Sequence, residues 1–163
     1  MSAPEVDDTE LAAAKGHLHR ALLDGDPKLR AQAAVAWASQ PIALRPTARL
    51  VEALGAEKVD TVELQLALSI GVQEQSAATA LRKLMAGDGI DAVTAAAALA
   101  EAGEAAARVR LQTLATSAAS SVRAVVARAL FGRLRLSHAS RALLLDGAAK
   151  VRLAAAGALL AHD

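Results

Sequence analysis

The chain has 163 residues, a length that fits a single domain, and its 54% apolar residues are almost all Ala, Leu and Val. With one Trp, one Phe and no Tyr, strand-forming residues are scarce, so the composition predicts an all-α protein with closely packed helices. The absence of Cys excludes disulfides, thiolate metal sites and a cysteine nucleophile.

The N-terminal thirty residues carry charges throughout and contain no apolar segment typical of a signal peptide. The most apolar window, "AVTAAAALAEAGEAAARV", includes Glu101 and Glu104 and is too polar to span a bilayer. We therefore expect a cytoplasmic protein that does not engage a membrane. Its predicted organisation is a disordered tail at residues 1–7 and one domain over residues 8–163.

Five segments in chain order share one pattern: a short apolar helix, a turn rich in Gly and Asp, and a second helix. The first helices are predicted at "LHRALL", "TARLVEAL", "TALRKLM", "VRLQTLA" and "SRALLL". Each second helix contains an anchor residue, followed five places later by Ala and eight places later by a larger apolar residue. The anchors are Leu29, Val62, Asp91, Val122 and Val151.

The anchors are 33, 29, 31 and 29 residues apart, and such a near-constant step indicates a stacked repeat array. Position eight is occupied by Trp37 in the first unit and by Ile or Leu in the others, so we interpret Trp37 as a core residue and not as a stacking platform. One helix pair cannot bury its own apolar face, and neighbouring pairs must therefore stack on it.

The turn and second helix read "DGDPKLRAQAAVAW", "TSAASSVRAVVARAL" and "DGAAKVRLAAAGALL" in units one, four and five. This pattern resembles the short HEAT-like repeat of bacterial proteins over about residues 11–163. The resemblance implies a right-handed α-solenoid of about five helix-turn-helix repeats, with the second helices lining a concave binding surface. Units two and three depart from it, because Glu63 and Ala92 stand where the pattern has Arg.

Arg30, Arg123 and Arg152 each follow an anchor by one residue. Because they recur, we interpret them as structural residues that bind acidic or carbonyl groups of an adjacent layer; nucleic-acid binding is the alternative. Their expected partners are Asp26 and Asp146. The residues predicted to cap the second helices at their N-termini are Asp26, Asp60 or Thr61, Asp91 and Ser120.

No motif in the sequence indicates catalysis. HExxH, P-loop and GxSxG patterns are missing, and the lack of Tyr argues against a tetrapyrrole pocket of the kind found in HEAT-like lyases. His17 and His19 are two residues apart on a predicted helix and so point to different faces, which does not suit a shared metal. We expect no enzymatic activity, metal or cofactor.

The second helices are also apolar opposite their core side, at positions two, six and nine after the anchor. This stripe is either buried between layers or forms a groove for an apolar partner. The stripe residues that we predict as partner contacts are Leu64, Leu68, Phe131 and Leu160.

Charge is divided unevenly along the chain, with a net −5 over residues 1–103 and +6 over residues 104–163. Such asymmetry concerns partners and not the fold. An acidic protein surface is the expected partner, and an ordinary solvated face is the alternative. With the structural arginines set aside, the predicted contacts are Arg108, Arg110, Arg128, Arg133, Arg135 and Arg141.

These patterns favour a non-enzymatic protein-protein interaction module, a scaffold or adaptor that binds an acidic or apolar partner surface. The alternative is a nucleic-acid-binding repeat protein that uses the C-terminal arginines, although base recognition usually needs stacking aromatic residues. The last helix carries Leu153, Leu159 and Leu160 with nothing predicted to cover them. We therefore expect self-association or assembly through the C-terminal repeat.

Overall fold

The computed structural model describes residues 7–134 and 141–161, and every regular element in these ranges is helical, which confirms the predicted all-α class. The α-helices are α1 (Asp8–Ala21), α2 (Pro27–Ala38), α3 (Thr47–Ala56), α4 (Asp60–Ile70), α5 (Gln75–Met85), α6 (Ile90–Glu101), α7 (Ala105–Leu114), α8 (Ser120–Arg128), α9 (Arg141–Leu144) and α10 (Ala149–Leu160). A 3₁₀ turn at Ile42–Leu44 precedes α3, and a π-helical segment at Ala129–Arg133 continues α8. Within the described ranges, no helix has the length and apolar character needed to cross a membrane.

The helices form two compact units, one extending to Ala77 and the other beginning at Ala78, with the boundary inside α5. In the first unit, α1 packs on α2, α3 packs on α4, and the two second helices α2 and α4 pack on each other. In the second unit, α8 packs on both α6 and α10, α7 packs on α6, and α9 packs on α10. Contacts between successive second helices therefore recur in both units.

The positions five and eight residues after the anchor are buried in the first four second helices, whereas the anchor itself is exposed at Leu29 and half-buried at Asp91. The Ala five residues after the anchor is fully buried, as are the larger residues eight after it, with at most 4% of their surface exposed. These core residues are Ala34, Trp37, Ala67, Ile70, Ala96, Leu99, Ala127 and Leu130. Helix α10 differs, because Leu159 at the equivalent position is 38% exposed.

Trp37 is a core residue, as the repeat predicted, and its ring stacks on His19 with centroids 5.0 Å apart and an interplanar angle of 18°. Burial lowers the pKa of His19, and the charges of Arg49 and Lys15 lower it further. His17 does not share this environment, since its Nδ1 lies 3.0 Å from Nη2 of Arg20. The two histidines thus have separate surroundings.

Arg45 joins the ends of α2 and α4, a role that the sequence did not indicate. Its Nε donates to the carbonyl of Gln40 at 2.8 Å, and Nη2 donates to that of Ala38 at 2.8 Å. Its Nη1 donates to the carbonyl of Ser69 at 2.7 Å. Helix α4 ends just beyond this contact at Gly71, whose φ of +95° is rarely adopted by residues with a side chain.

Only one of the predicted N-caps has the expected geometry. The Asp26 carboxylate accepts the backbone N–H of Lys28 at 2.8 Å, with Pro27 as the first helical residue. The predictions for the later helices are wrong, since Val59, Gly89 and Ala119 are the capping residues. The predicted residues Asp60, Thr61, Asp91 and Ser120 lie in the first helical turn, where an acidic side chain still interacts favourably with the helix dipole.

We predict that truncating Leu99, which is 1% exposed, destabilises the protein far more than the same change in α10. Leu99→Ala removes a buried side chain and leaves a cavity, so it should lower the free energy of unfolding by about 2–5 kcal/mol. The control is Leu160→Ala, at a site that is 71% exposed, where the change should stay within about 0.5 kcal/mol. Urea denaturation at micromolar concentration checks this, and equal losses would contradict the assigned core.

Candidate functional site

Arg30 binds two successive turns of the first unit through three nitrogen atoms. Its Nε and Nη2 donate to the Glu57 carboxylate at 2.8 and 3.0 Å, on the turn between α3 and α4. Its Nη1 donates to the carbonyls of Asp24 at 2.8 Å and Gly25 at 3.1 Å, on the turn between α1 and α2. We call this arrangement the arginine clamp.

Arg123 forms the same clamp in the second unit. Nε and Nη2 donate to the Asp146 carboxylate at 2.7 and 2.9 Å, and Nη1 donates to the carbonyls of Ser117 and Ala118 at 2.7 and 3.0 Å. The predicted pairing of Asp146 is confirmed. The prediction that Asp26 is a partner is wrong, because its carboxylate caps α2.

The clamp keeps both carboxylates ionised at low pH. The bidentate bond from Arg30, aided by the backbone N–H groups of Val59 and Lys58, lowers the pKa of Glu57 to about 2 against the opposing effect of burial. The bond from Arg123, together with the Ala148 N–H, lowers the pKa of Asp146 to about 2. Each carboxylate also fixes the turn that precedes its second helix, by accepting a backbone N–H two residues later.

Two of the arginines predicted to contact a partner are engaged within the second unit. Arg110 donates to the Asp88 carboxylate at 2.6 Å and to the carbonyls of Met85 and Gly87 at 3.1 and 2.6 Å. Arg133 forms an ion pair with Glu101, in which Nη2 lies 2.9 Å from Oε2. These bonds reduce the charge that Arg110 and Arg133 present to solvent.

The other arginines that were predicted as partner contacts are either exposed or lie outside the described residues. Arg108, Arg128 and Arg141 are exposed and make no ion pair or hydrogen bond within residues 7–134 and 141–161. Arg135 lies outside the described residues. The charges available to a partner are therefore those of Arg108, Arg128 and Arg141, with a lesser share from Arg133.

A groove of about 230 Å³ lies between α6 and α8 in the second unit. Its floor is apolar, because Val93 and Ala97 of α6 are buried there. Arg128 and Arg133 stand at its rim. We call it the basic groove; its lining residues are Val93, Thr94, Ala97, Val125, Arg128, Ala129 and Arg133.

Two local features produce the basic groove. Half of the residues of helix α6 are Ala, whose short side chains leave space between α6 and α8. After Arg128 the backbone becomes π-helical, with the Leu134 N–H donating to the Ala129 carbonyl at 3.0 Å. A π-helical segment is wider than an α-helix and is frequent at functional sites. It places Arg133 beside Arg128 at the same opening.

The apolar stripe is buried in the middle of the chain and exposed at its last helix. Leu64 and Phe131 are buried, so their side chains do not present a surface to a partner; burial, the alternative interpretation of the stripe, describes them. Leu68 is half-buried. Leu160 on α10 is exposed, together with Leu153. Of the predicted apolar contacts, Leu160 is thus the one that is open to solvent.

Comparison of the chain with family models, with curated proteins and with solved structures finds no match.

We predict that removing both clamp carboxylates weakens the dependence of stability on acid. Because folding lowers the pKa of Glu57 and Asp146, their contribution is present above the unfolded pKa near 4 and is lost as pH falls toward 2. The variant Glu57→Gln/Asp146→Asn should be less stable at pH 7 and should lose less stability between pH 5 and pH 2. Urea midpoints across this range measure the effect, and parallel curves for both proteins would contradict it.

Proposed function

We propose that this chain is a HEAT-like right-handed α-solenoid of about five repeats that serves as a cytoplasmic, non-enzymatic protein-protein interaction module. The observation that carries the proposal is the basic groove, where Arg128 has no ion pair or hydrogen bond within the described residues and stands over an apolar floor. The repeated arginine clamp supports the solenoid, since the same contact between successive turns occurs in both units. Packing of second helix on second helix supports it also.

The dimensions of the basic groove favour a protein partner. At about 230 Å³ it is smaller than the ~300–1,000 Å³ typical of small-molecule sites. A cleft of this size holds one or two side chains of a docked segment, and apolar anchors in such pockets carry much of the energy of an interface. The groove therefore suits an apolar side chain, such as Leu, from a partner.

The charge at the rim of the groove indicates which residues of the partner should lie next to that apolar side chain. Arg128 is exposed and forms no ion pair in the described part of the chain, and Arg133 lies beside it with its side chain 49% exposed despite the bond to Glu101. A carboxylate of the partner within one helical turn of its apolar side chain would reach the guanidinium groups of Arg128 and Arg133. We therefore propose an amphipathic acidic helix or strand as the docking element, with its acidic residues adding specificity and association rate more than affinity.

Nucleic acid remains the alternative function, favoured by the exposed arginines Arg108, Arg128 and Arg141. The aromatic residues do not support it, because Trp37 and Phe131 are both buried and offer no face on which a base could stack. Binding would then rest on phosphate contacts alone and would be insensitive to sequence.

The test is fluorescence anisotropy with two labelled probes at about 50 mM salt, where charge-driven binding is strong. One probe is an amphipathic helical peptide with Glu on one face and Leu on the other, and the second is a DNA oligonucleotide, used single-stranded and as a duplex. We expect the peptide to bind and the variant Arg128→Glu/Arg133→Gln to weaken it by about tenfold, since exposed ionic contacts contribute ~0–1 kcal/mol each. Gln avoids placing a negative charge beside Glu101.

Arg49→Glu is the matched control, because Arg49 is an exposed arginine on α3 in the other unit. It should leave peptide binding unchanged although it lowers the net charge by two, against three for the double variant of the groove. Loss of binding in both variants would indicate a general charge effect and contradict the site. Micromolar DNA binding that the groove variant abolishes, with a log–log salt slope of about −0.9 per phosphate contacted, would favour the nucleic-acid function instead.

A further inference from the structure

Arg152 holds half of an arginine clamp. Its Nη1 donates to the carbonyls of Asp146 at 2.7 Å and Gly147 at 3.0 Å, as Nη1 of Arg30 and Arg123 do with the carbonyls six and five residues before them. In those two clamps Nε and Nη2 are bound to a carboxylate of the following turn. In Arg152 these two nitrogens have no acceptor within residues 7–134 and 141–161.

Asp24 holds the complementary half. Its Oδ1 accepts the Asp26 backbone N–H at 2.8 Å, as Glu57 accepts that of Val59 and Asp146 that of Ala148. Asp24 also lies six residues before its own clamp arginine, as Asp146 lies six before Arg152. Glu57 and Asp146 each receive an arginine from the preceding second helix, whereas no guanidinium in the described part of the chain binds the exposed Asp24 carboxylate.

Burial at equivalent repeat positions identifies an apolar patch beside each half-clamp. The anchor is buried at Val62, Val122 and Val151 but is 43% exposed at Leu29, five residues after Asp24. Two residues after the anchor, Ala124 is buried beside Arg123, while Leu153 is 73% exposed beside Arg152. Leu160 at position nine is likewise exposed, and its equivalent Phe131 is buried. Each half-clamp thus has exposed apolar side chains beside it, and the residues at the equivalent positions named above are buried.

We propose that copies of this chain associate through the two half-clamps, with Arg152 of one copy binding the Asp24 carboxylate of another. The new contact would reproduce the one that Arg30 makes with Glu57 and Arg123 makes with Asp146. Leu153 and Leu160 of one copy would pack near Leu29 of the other. This inference goes beyond the proposed function and does not depend on what occupies the basic groove.

The observations identify a second copy of this chain as the partner, because the chain itself carries both halves of a complete clamp. Nε and Nη2 of a guanidinium need a carboxylate in a fixed bidentate geometry, and Asp24 is held by its own turn in the conformation that the carboxylates of complete clamps adopt. Each copy carries one Asp24 and one Arg152, so the contact forms either twice in a two-fold dimer or once at each junction of a longer chain of copies.

Sedimentation equilibrium of the 163-residue chain from micromolar to about 0.5 mM tests the proposal, a range that covers small, weak interfaces. The mean mass of the unmodified protein should rise with concentration. Arg152→Glu and Asp24→Arg should each raise the dissociation constant at least tenfold, because each places like charges opposite one another. An equimolar mixture of the two variants should associate again, since position 152 of each variant then faces the opposite charge at position 24 of the other.

Two further variants separate the contact from folding and from net charge. Asp24→Asn keeps the hydrogen bond to the Asp26 N–H and loses the charge, so it should weaken association while the thermal unfolding midpoint stays within a few degrees. Lys150→Glu changes charge equally with Arg152→Glu in the same exposed first turn of α10 and should leave association unchanged. A mass independent of concentration, an unaffected Arg152→Glu variant, or no recovery on mixing would each overturn the proposal. None of these outcomes bears on peptide binding by the basic groove.

Discussion

A single guanidinium fixes the relation between two successive turns in each unit of this protein. One edge binds a carboxylate on the following turn and one nitrogen binds two carbonyls of its own turn, so four acceptors are satisfied by one side chain. The carboxylate in turn accepts the N–H groups of Lys58 and Val59, the two residues just before the next helix. Because Arg is planar and always charged, no other residue could bind both turns in this way.

Small side chains make this arrangement possible. The clamp requires successive helix pairs to approach closely, and the buried Ala in the middle of each of the first four second helices allows it. The core contains few large side chains, and the ring of Trp37 stacks on that of His19. Arg45 adds hydrogen bonds to backbone carbonyls where α2 and α4 end. The Ala residues of α6 also leave the space that forms the basic groove. The small side chains that allow close packing therefore contribute to the candidate site as well.

The repeat spacing predicted much of this, because each layer poses the same packing problem and its solution recurs in the sequence. It identified the helix order, the buried positions five and eight, and the roles of Arg30 and Arg123. It did not identify Glu57, which stands five residues before its anchor, as Asp146 does, but carries a longer side chain. The spacing also could not separate free arginines from paired ones: Arg110 and Arg133 are engaged by Asp88 and Glu101, far away in sequence. Pairing of that kind depends on tertiary proximity, as does the burial of Leu64 and Phe131.

The central claim, that the clamp holds each turn locally, is tested most directly by residue-resolved amide hydrogen exchange in Arg123→Gln. The Ala148 N–H, which donates to Asp146, should exchange faster than in the unmodified protein, while the Val59 N–H, which donates to Glu57 in the other unit, should keep its rate. Unchanged exchange at Ala148, or an equal increase at both amides, would contradict the account.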